Sequence, residues 1–455
     1  MAPEQGQPVE IVQTKRTTIT VRQTPLDNER GVREMLARKV SGSSAGLWLL
    51  IPELQRLGAW GLLKGWTGGD DRDLNPRIAL QMVFESALCT PRVRRKNSLS
   101  HQGFSLAAGL AGLVSDQQVH RLCEGHTIGQ ARQLLVQLGL QRRLSGHYKG
   151  QVVAVDPHRM ISCSQRMMAK KKKHPDRPAQ KMLQTFFSVC TRTGQPITAY
   201  MGSSGMPTGL ATQTLVEDTA RILPRNKLLV ADKEHFTCQL LEDVAARAAM
   251  DLLVPALHLK HVKAALESMS YRRVSAGVAI GEVPFRFAGG SRDFRLLGQR
   301  TGERAGDYQY QGFVTTSGED PAQLLCRDYP NRWSVEEFFH FENKMGLTRA
   351  GTLNLNIRYG KLALAMIAQA GVYQLRQNLD SAYRSWNAEH LAREILGWAD
   401  GDIRVKDDTI VVTFYGDHNH LDPSRYENLP RILQDEGVDP RIPWLYNFKL
   451  DFRFR

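Results

Sequence analysis

Cysteine is scarce in this chain: there are six, at positions 89, 123, 163, 190, 238 and 326, and no two form a C-x-x-C pair. Neither a disulfide framework nor a zinc ribbon is indicated, and the thiols read as buried side chains of a reducing compartment. The one near-motif, His120-x-x-Cys123-x-x-His126, offers three ligands where a closed zinc site takes four, so it reads as structural. Long apolar runs are missing too. The longest stretches, Ser105 to Val114 and Leu362 to Ala368, fall short of the roughly 18 residues that a membrane span needs, and the N-terminus has no apolar signal core. There is no G-x-x-x-x-G-K-S/T loop, no G-x-S-x-G and no H-E-x-x-H, which speaks against ATP-driven chemistry and against hydrolases of those kinds. A soluble, cytoplasmic protein is expected.

Acids are the minority charge, 46 Asp+Glu against 60 Lys+Arg in 455 residues, for a net charge of +14. The surplus is clustered. Arg166, Lys170, Lys171, Lys172, Lys173, Arg177 and Lys181 face one Asp176 in sequence, and Arg92, Arg94, Arg95 and Lys96 fall within five positions. Either cluster alone fits a solvated loop; together with a nucleic-acid motif they point to a polyanion partner. The hydrophobic fraction of 42% supplies a sizeable core.

Along the chain, residues 1–28 read as an arm with one strand near Thr17 to Val21, and 29–149 as a helical, basic domain. Within it, Asp116 to Leu138 is compatible with a helix-turn-helix. At Gly150 the pattern turns to short β-branched runs. Gln151 to Val155 predicts a strand stopped by the Asp156-Pro157 turn, followed by strands at Met182 to Cys190 and Gln195 to Met201. Leu210 to Leu223 has helical spacing; Lys227 to Ala231 predicts a strand ending at Asp232, then come a helix from about Glu234 and a strand at Leu252 to Val254. The expected fold is α/β: a core in two parts, 150–256 and 326–379, with a mixed sheet flanked by helices, a β-rich insertion at 257–325, and a small C-terminal domain at 380–455.

Carboxylates at the ends of neighbouring strands are how open α/β sheets build ligand sites, and Asp156 and Asp232 both stand there. Two facing carboxylates repel unless a cation neutralises them, and hard oxygen donors favour Mg²⁺ or Mn²⁺. A third acid is available in Tyr329-x-x-Arg332-x-x-x-Glu336, where a helix beginning near Ser334 is expected. At about 100° per residue, Arg332, Glu336 and Asn343 share one stripe, and Glu337 points roughly 100° away from Glu336. Taken singly, each aspartate also fits a turn or helix cap, and Arg332 fits a simple i to i+4 partner of Glu336. His235 reads as a helix-start residue rather than a ligand.

The segments Val153-Ala-Val-Asp156, Leu229-Val-Ala-Asp232-Lys-Glu-His-Phe and Tyr329-x-x-Arg332-x-x-x-Glu336 resemble the DDE transposases of bacterial insertion sequences, within the family-4 group marked by a Tyr-Arg-Glu-Lys signature. One departure stands out: the signature's lysine position falls on Asn343, and the lysine here is Lys344. The resemblance spans about 150 to 375. It implies an RNase H-like core and two divalent ions, Mg²⁺ or Mn²⁺, held by the catalytic acids Asp156, Asp232 and Glu336. It further implies cleavage and strand transfer on the terminal inverted repeats of a transposon, in a synaptic homodimer of a bacterial, nucleoid-associated protein. Tyr329, Arg332 and Lys344 would contact DNA, and Lys170 to Lys173 with Arg92, Arg94, Arg95 and Lys96 would follow its backbone. A catalytically dead DNA-binding derivative and a metal-dependent nuclease on the same fold remain the alternatives.

Overall fold

The β-branched runs between Gln151 and Thr315 pair into a single sheet whose spatial order differs from its chain order. The computed structural model describes residues 9–12, 18–21, 24–42, 44–90, 99, 101–162, 165–172, 176, 178–224, 227–247, 249–346, 352–397, 399–416 and 421–455. Its strands, in chain order, are β1 (Val9–Val12), β2 (Thr18–Val21), β3 (Val40–Gly42), β4 (Leu113–Val114), β5 (Val152–Ile161), β6 (Lys170–Lys171), β7 (Gln180–Cys190), β8 (Gln195–Ser203), β9 (Lys227–Ala231), β10 (Met250–Pro255), β11 (Arg272–Ser275), β12 (Val278–Phe285), β13 (Phe294–Thr301), β14 (Gln309–Thr315), β15 (Gly401–Lys406), β16 (Thr409–Phe414) and β17 (Lys449–Phe454). The chain divides into two units, Arg142–His340, and Met1–Gln141 with Phe341–Arg455.

In the unit Arg142–His340, ten strands run in the order β11-β12-β13-β14-β10-β9-β5-β7-β6, with β8 paired to β7. β5 is antiparallel to β7, and β7 to β8, while β5, β9 and β10 are parallel. Parallel neighbours need crossover helices. These are Thr208–Ile222, between β8 and β9, and Cys238–Arg247, between β9 and β10. The mixed sheet with its helices is the α/β architecture expected. β11 to β14 extend the same sheet, because β14 pairs antiparallel with β10.

The Asp156-Pro157 pair does not stop the strand: β5 continues through Pro157 to Ile161, with Pro157 opposite Phe186 of β7. The parallel pairing to β9 does end there, its last register pair being Val155 with Ala231. Beyond that point β5 lacks its parallel neighbour, and an edge tolerates a residue without an N–H. Asp156 and Asp232 therefore each follow the last paired residue of two adjacent parallel strands.

The other unit is mainly helical. Leu355–Asn378 is buried on almost every side and packs on the helices Leu74–Ala87, Asp116–Glu124 and Leu50–Arg56. That burial explains its apolar run, and among the described residues no helix is long and apolar enough to cross a membrane. The segment from Asp116 onward forms two helices, Asp116–Glu124 and Ile128–Leu144. Residues distant in sequence meet in the sheet β17-β16-β15-β3, where Val40 pairs with Ile403. The His120, Cys123 and His126 side chains go separate ways: His120 Nε2 lies 2.9 Å from Lys361 Nζ, Cys123 is buried, and His126 packs on Trp66 with ring centroids 4.4 Å apart.

Candidate active site

The helix carrying Glu336 is held on the sheet by aromatic contacts. It spans Ser334–Glu342. Phe338 and Phe339 meet Phe187 of β7 with centroids 5.4 and 5.5 Å apart, and Phe339 also meets His158 of β5 at 4.7 Å. Burying a Phe side chain contributes roughly 1.5–3 kcal/mol, enough to fix which face of a short helix turns inward. Phe187 is the register partner of Asp156, so the ring that anchors the helix stands opposite the first acid. Glu337 is exposed and Glu336 half-buried, as the 100° separation requires.

The expected continuous stripe is corrected in its details. Arg332 lies in the 3-10 turn Tyr329–Trp333, before the helix, and Asn343 lies in another, Asn343–Met345, after it. Pro330 explains the break at the front, since it supplies no helical N–H and restricts the residue before it. Arg332 still reaches Glu336, with 3.3 Å between Nη2 and Oε1. The Tyr329–Trp333 turn lies against β5 and β9, and Tyr329 packs edge-on against Phe313 of β14 at 4.7 Å.

Asp156, Asp232, Glu336, Arg332 and Tyr329 form one electrostatic neighbourhood. Burial pushes the Asp156 carboxyl up to about 7, and the Asp232 and Glu336 charges add to this against the opposing pull of Arg332 and His235. Burial also works against Asp232, but the hydrogen bond and charge of His235, the Glu234 backbone N–H and Arg332 hold that carboxyl below its usual value. Burial opposes the charge of Arg332, which Tyr329, Asp156 and Glu336 keep above its ordinary range. The Tyr329 hydroxyl is pushed up by burial.

Asp232 is fixed more firmly than its sequence reading suggested. Its Oδ1 accepts from the Glu234 backbone N–H at 3.0 Å and meets His235 Nδ1 at 2.9 Å. The Glu234 side chain is itself gripped by Arg159 of β5, by Lys171 at 3.4 Å and by the Thr208 hydroxyl at 3.5 Å. Gln184, fully buried on β7, accepts from Arg159 Nε and Lys171 Nζ and donates to the Ser203 carbonyl. Sequence reading missed Arg159, Gln184, Glu234 and the role of His235. The signal available was the acid followed by a polar residue at two and a histidine at three positions, which reads equally well as a helix start.

Among the predicted basic residues, Lys170 and Lys172 are exposed while Lys171 is half-buried in the Glu234 network. Lys344 is exposed in the turn Asn343–Met345. Lys173, Arg92, Arg94, Arg95 and Lys96 lie outside the described residues. A groove of about 410 Å³ is lined among others by Lys233, His258, Gln299, Gln311 and Tyr310; none of the three acids lines it.

Among the described residues, no group of three His, Cys, Asp or Glu side chains stands close enough to hold a metal ion, and Glu336 is turned onto Arg332. The donor set nonetheless fits a hard divalent cation in its chemistry: the Asp232 and Glu336 charges push the Asp156 carboxyl up, and a cation beside such oxygen donors relieves that repulsion.

Residues 147–369 match the family model described as the transposase DDE domain, a span that contains Asp156, Asp232 and Glu336. The match supports a DDE transposase. Among solved structures, the piggyBac transposase synaptic complex with hairpin DNA is similar, with a TM-score of 0.42, 11% identity, and 81% of this chain and 80% of that chain covered. No curated protein matches the chain.

Proposed function

We propose that this chain is a DNA transposase that binds the terminal inverted repeats of its element, cleaves the ends and joins them to target DNA. The observation that carries the reading is the electrostatic neighbourhood shared by Asp156, Asp232, Glu336, Arg332 and Tyr329 within a segment that matches a transposase domain. Asp156, Asp232 and Glu336 would hold two Mg²⁺ or Mn²⁺ ions. Bound there, the ions supply activation of the attacking oxygen and charge stabilisation of the leaving one. Arg332 would release Glu336 and present its guanidinium fork to a DNA phosphate, and Tyr329 would add its hydroxyl. Lys170 to Lys173, Arg92, Arg94, Arg95, Lys96 and Lys344 would follow the DNA backbone and make affinity dependent on salt. The synaptic form would be a homodimer, in a bacterial cytoplasm at the nucleoid.

A second reading, a catalytically dead DNA-binding derivative, is favoured by one observation, the engagement of Glu336 with Arg332 away from a three-acid cluster. Cleavage and strand transfer of labelled DNA carrying the element's own ends separate the two, measured in Mg²⁺ and in Ca²⁺. Mg²⁺-dependent products that vanish in Asp156→Ala, Asp232→Ala and Glu336→Ala support the transposase. End binding without any wild-type product supports the derivative. Hydrolysis without joined products leaves a metal-dependent nuclease.

A further inference from the structure

We infer that His235 is a positioning residue for Asp232: its ring holds one carboxylate oxygen and leaves the other free to bind a divalent cation. The inference rests on the proposed metal-dependent reading of this site.

His235 is fully buried in the 3-10 turn Lys233–His235, packed between the helix Thr208–Ile222 and β10. Its Nδ1 lies 2.9 Å from Asp232 Oδ1, and its Nε2 is buried with no hydrogen-bond partner among the described residues. An ionised carboxylate only accepts, so Nδ1 must be the donor of that pair. The ring's one polar contact is thus spent on Asp232. A purely structural buried histidine is expected to satisfy both nitrogens, since an unmet buried polar atom costs about 1–3 kcal/mol.

Oδ1 has a second donor, the Glu234 backbone N–H at 3.0 Å. The two donors come from consecutive residues of one short turn, and the turn is pinned from outside by Arg159, Lys171 and Thr208 on the Glu234 side chain. Oδ1 is therefore immobilised by the protein. The carboxyl is also half-exposed, with 30% of its side chain accessible, so Oδ2 is the atom presented outward. Among the described residues Asp156 has no such brace; burial and the surrounding charges act on it. Partners that orient a ligating group typically change metal affinity or activity by roughly 10–100-fold when removed.

The test uses full-length wild type, Asp232→Ala, His235→Phe and His235→Asn. Phe keeps a ring of similar bulk without a donor, whereas the Asn amide can donate from the place of Nδ1. Mn²⁺ binding without DNA is read by calorimetry, and Mg²⁺-dependent cleavage of element ends is read beside it. The expected result is Mn²⁺ affinity weakened about 10-fold or more in His235→Phe and restored to within about 3-fold of wild type in His235→Asn, with end binding unchanged in both. Wild-type affinity in His235→Phe overturns the inference, as does His235→Asn performing no better than His235→Phe, because packing alone would then explain the ring. A wild type that binds no more Mn²⁺ than Asp232→Ala overturns it together with the metal-dependent reading. If His235→Phe loses its cooperative melting transition, ¹⁵N spectra of the folded wild type decide: an exchange-protected Nδ1 proton on His235 that is lost in Asp232→Ala supports the inference, and its absence overturns it.

Discussion

Asp156 and Asp232 leave one sheet at the same level, each directly after the last register pair of β5 and β9, yet their carboxyls are pushed in opposite directions. Burial raises both. What separates them is local: Asp232 sits at the start of a turn that returns two donors to it, and Asp156 lies inside a continuing strand whose backbone groups are committed to β7. Position on a sheet edge places an acid in a site, and the few residues after it decide how readily that acid carries charge.

The largest effect expected is on chemistry. Asp156→Ala, Asp232→Ala and Glu336→Ala should each lower metal-dependent end cleavage by about 10³-fold or more while end binding persists. Exposed Glu337→Ala should stay near wild type in the same gel assay. Cleavage that survives loss of any one acid would remove that acid from the site.

Stability against pH sharpens the contrast between the two aspartates. In the folded chain Asp156 keeps its proton up to about pH 7, while an unfolded Asp ionises near 3.8, so this group costs the fold stability as the pH rises between those values. Asp156→Asn should therefore be more stable than wild type by about 1–3 kcal/mol at pH 8, and no different at pH 3, in urea titrations with EDTA present. Asp232 has the opposite sign. Its lowered carboxyl contributes stability that is present above the unfolded value and lost as the pH falls through the folded one. Asp232→Asn should thus destabilise at pH 8, with the difference shrinking in acid. Equal pH profiles for the two variants would abolish the distinction.

Loosening the turn behind Asp232 should have a middling effect. Glu234→Ala strips Arg159, whose side chain is only 13% exposed, of its carboxylate partner, and should cost about 1–3 kcal/mol in thermal or urea unfolding. An unchanged midpoint would mean that the network does not brace the turn. The smallest effect is expected on DNA affinity. Lys170→Ala should reduce the slope of log affinity against log salt by about 1 without loss of stability, whereas Lys171→Ala should also lower the melting temperature, because Lys171 is tied to Glu234.

Much of the unit Arg142–His340 was legible in sequence. The strand at Lys227–Ala231 and the helix Thr208–Ile222 follow from β-branched runs and helical spacing, which are local properties. Asp156, Asp232 and Glu336 could be picked out as candidates because strand ends and a helix start can be read within a dozen residues. The continuation of β5 through Pro157 was not, since it depends on where β9 stops, some seventy residues further on.

By itself, the sequence determined the types of element, the three acids and the basic excess of +14, since each resides in residue identity and short-range periodicity. Only the tertiary structure decided that Val40 would pair with Ile403, that Arg159, itself bonded to Gln184, would grip the turn after β9, and that His235 would hold Asp232. Those outcomes depend on register and burial between segments far apart in the chain. Hydrogen bonds and pKa shifts are set by the neighbours that folding supplies, and no local pattern encodes which neighbours those will be.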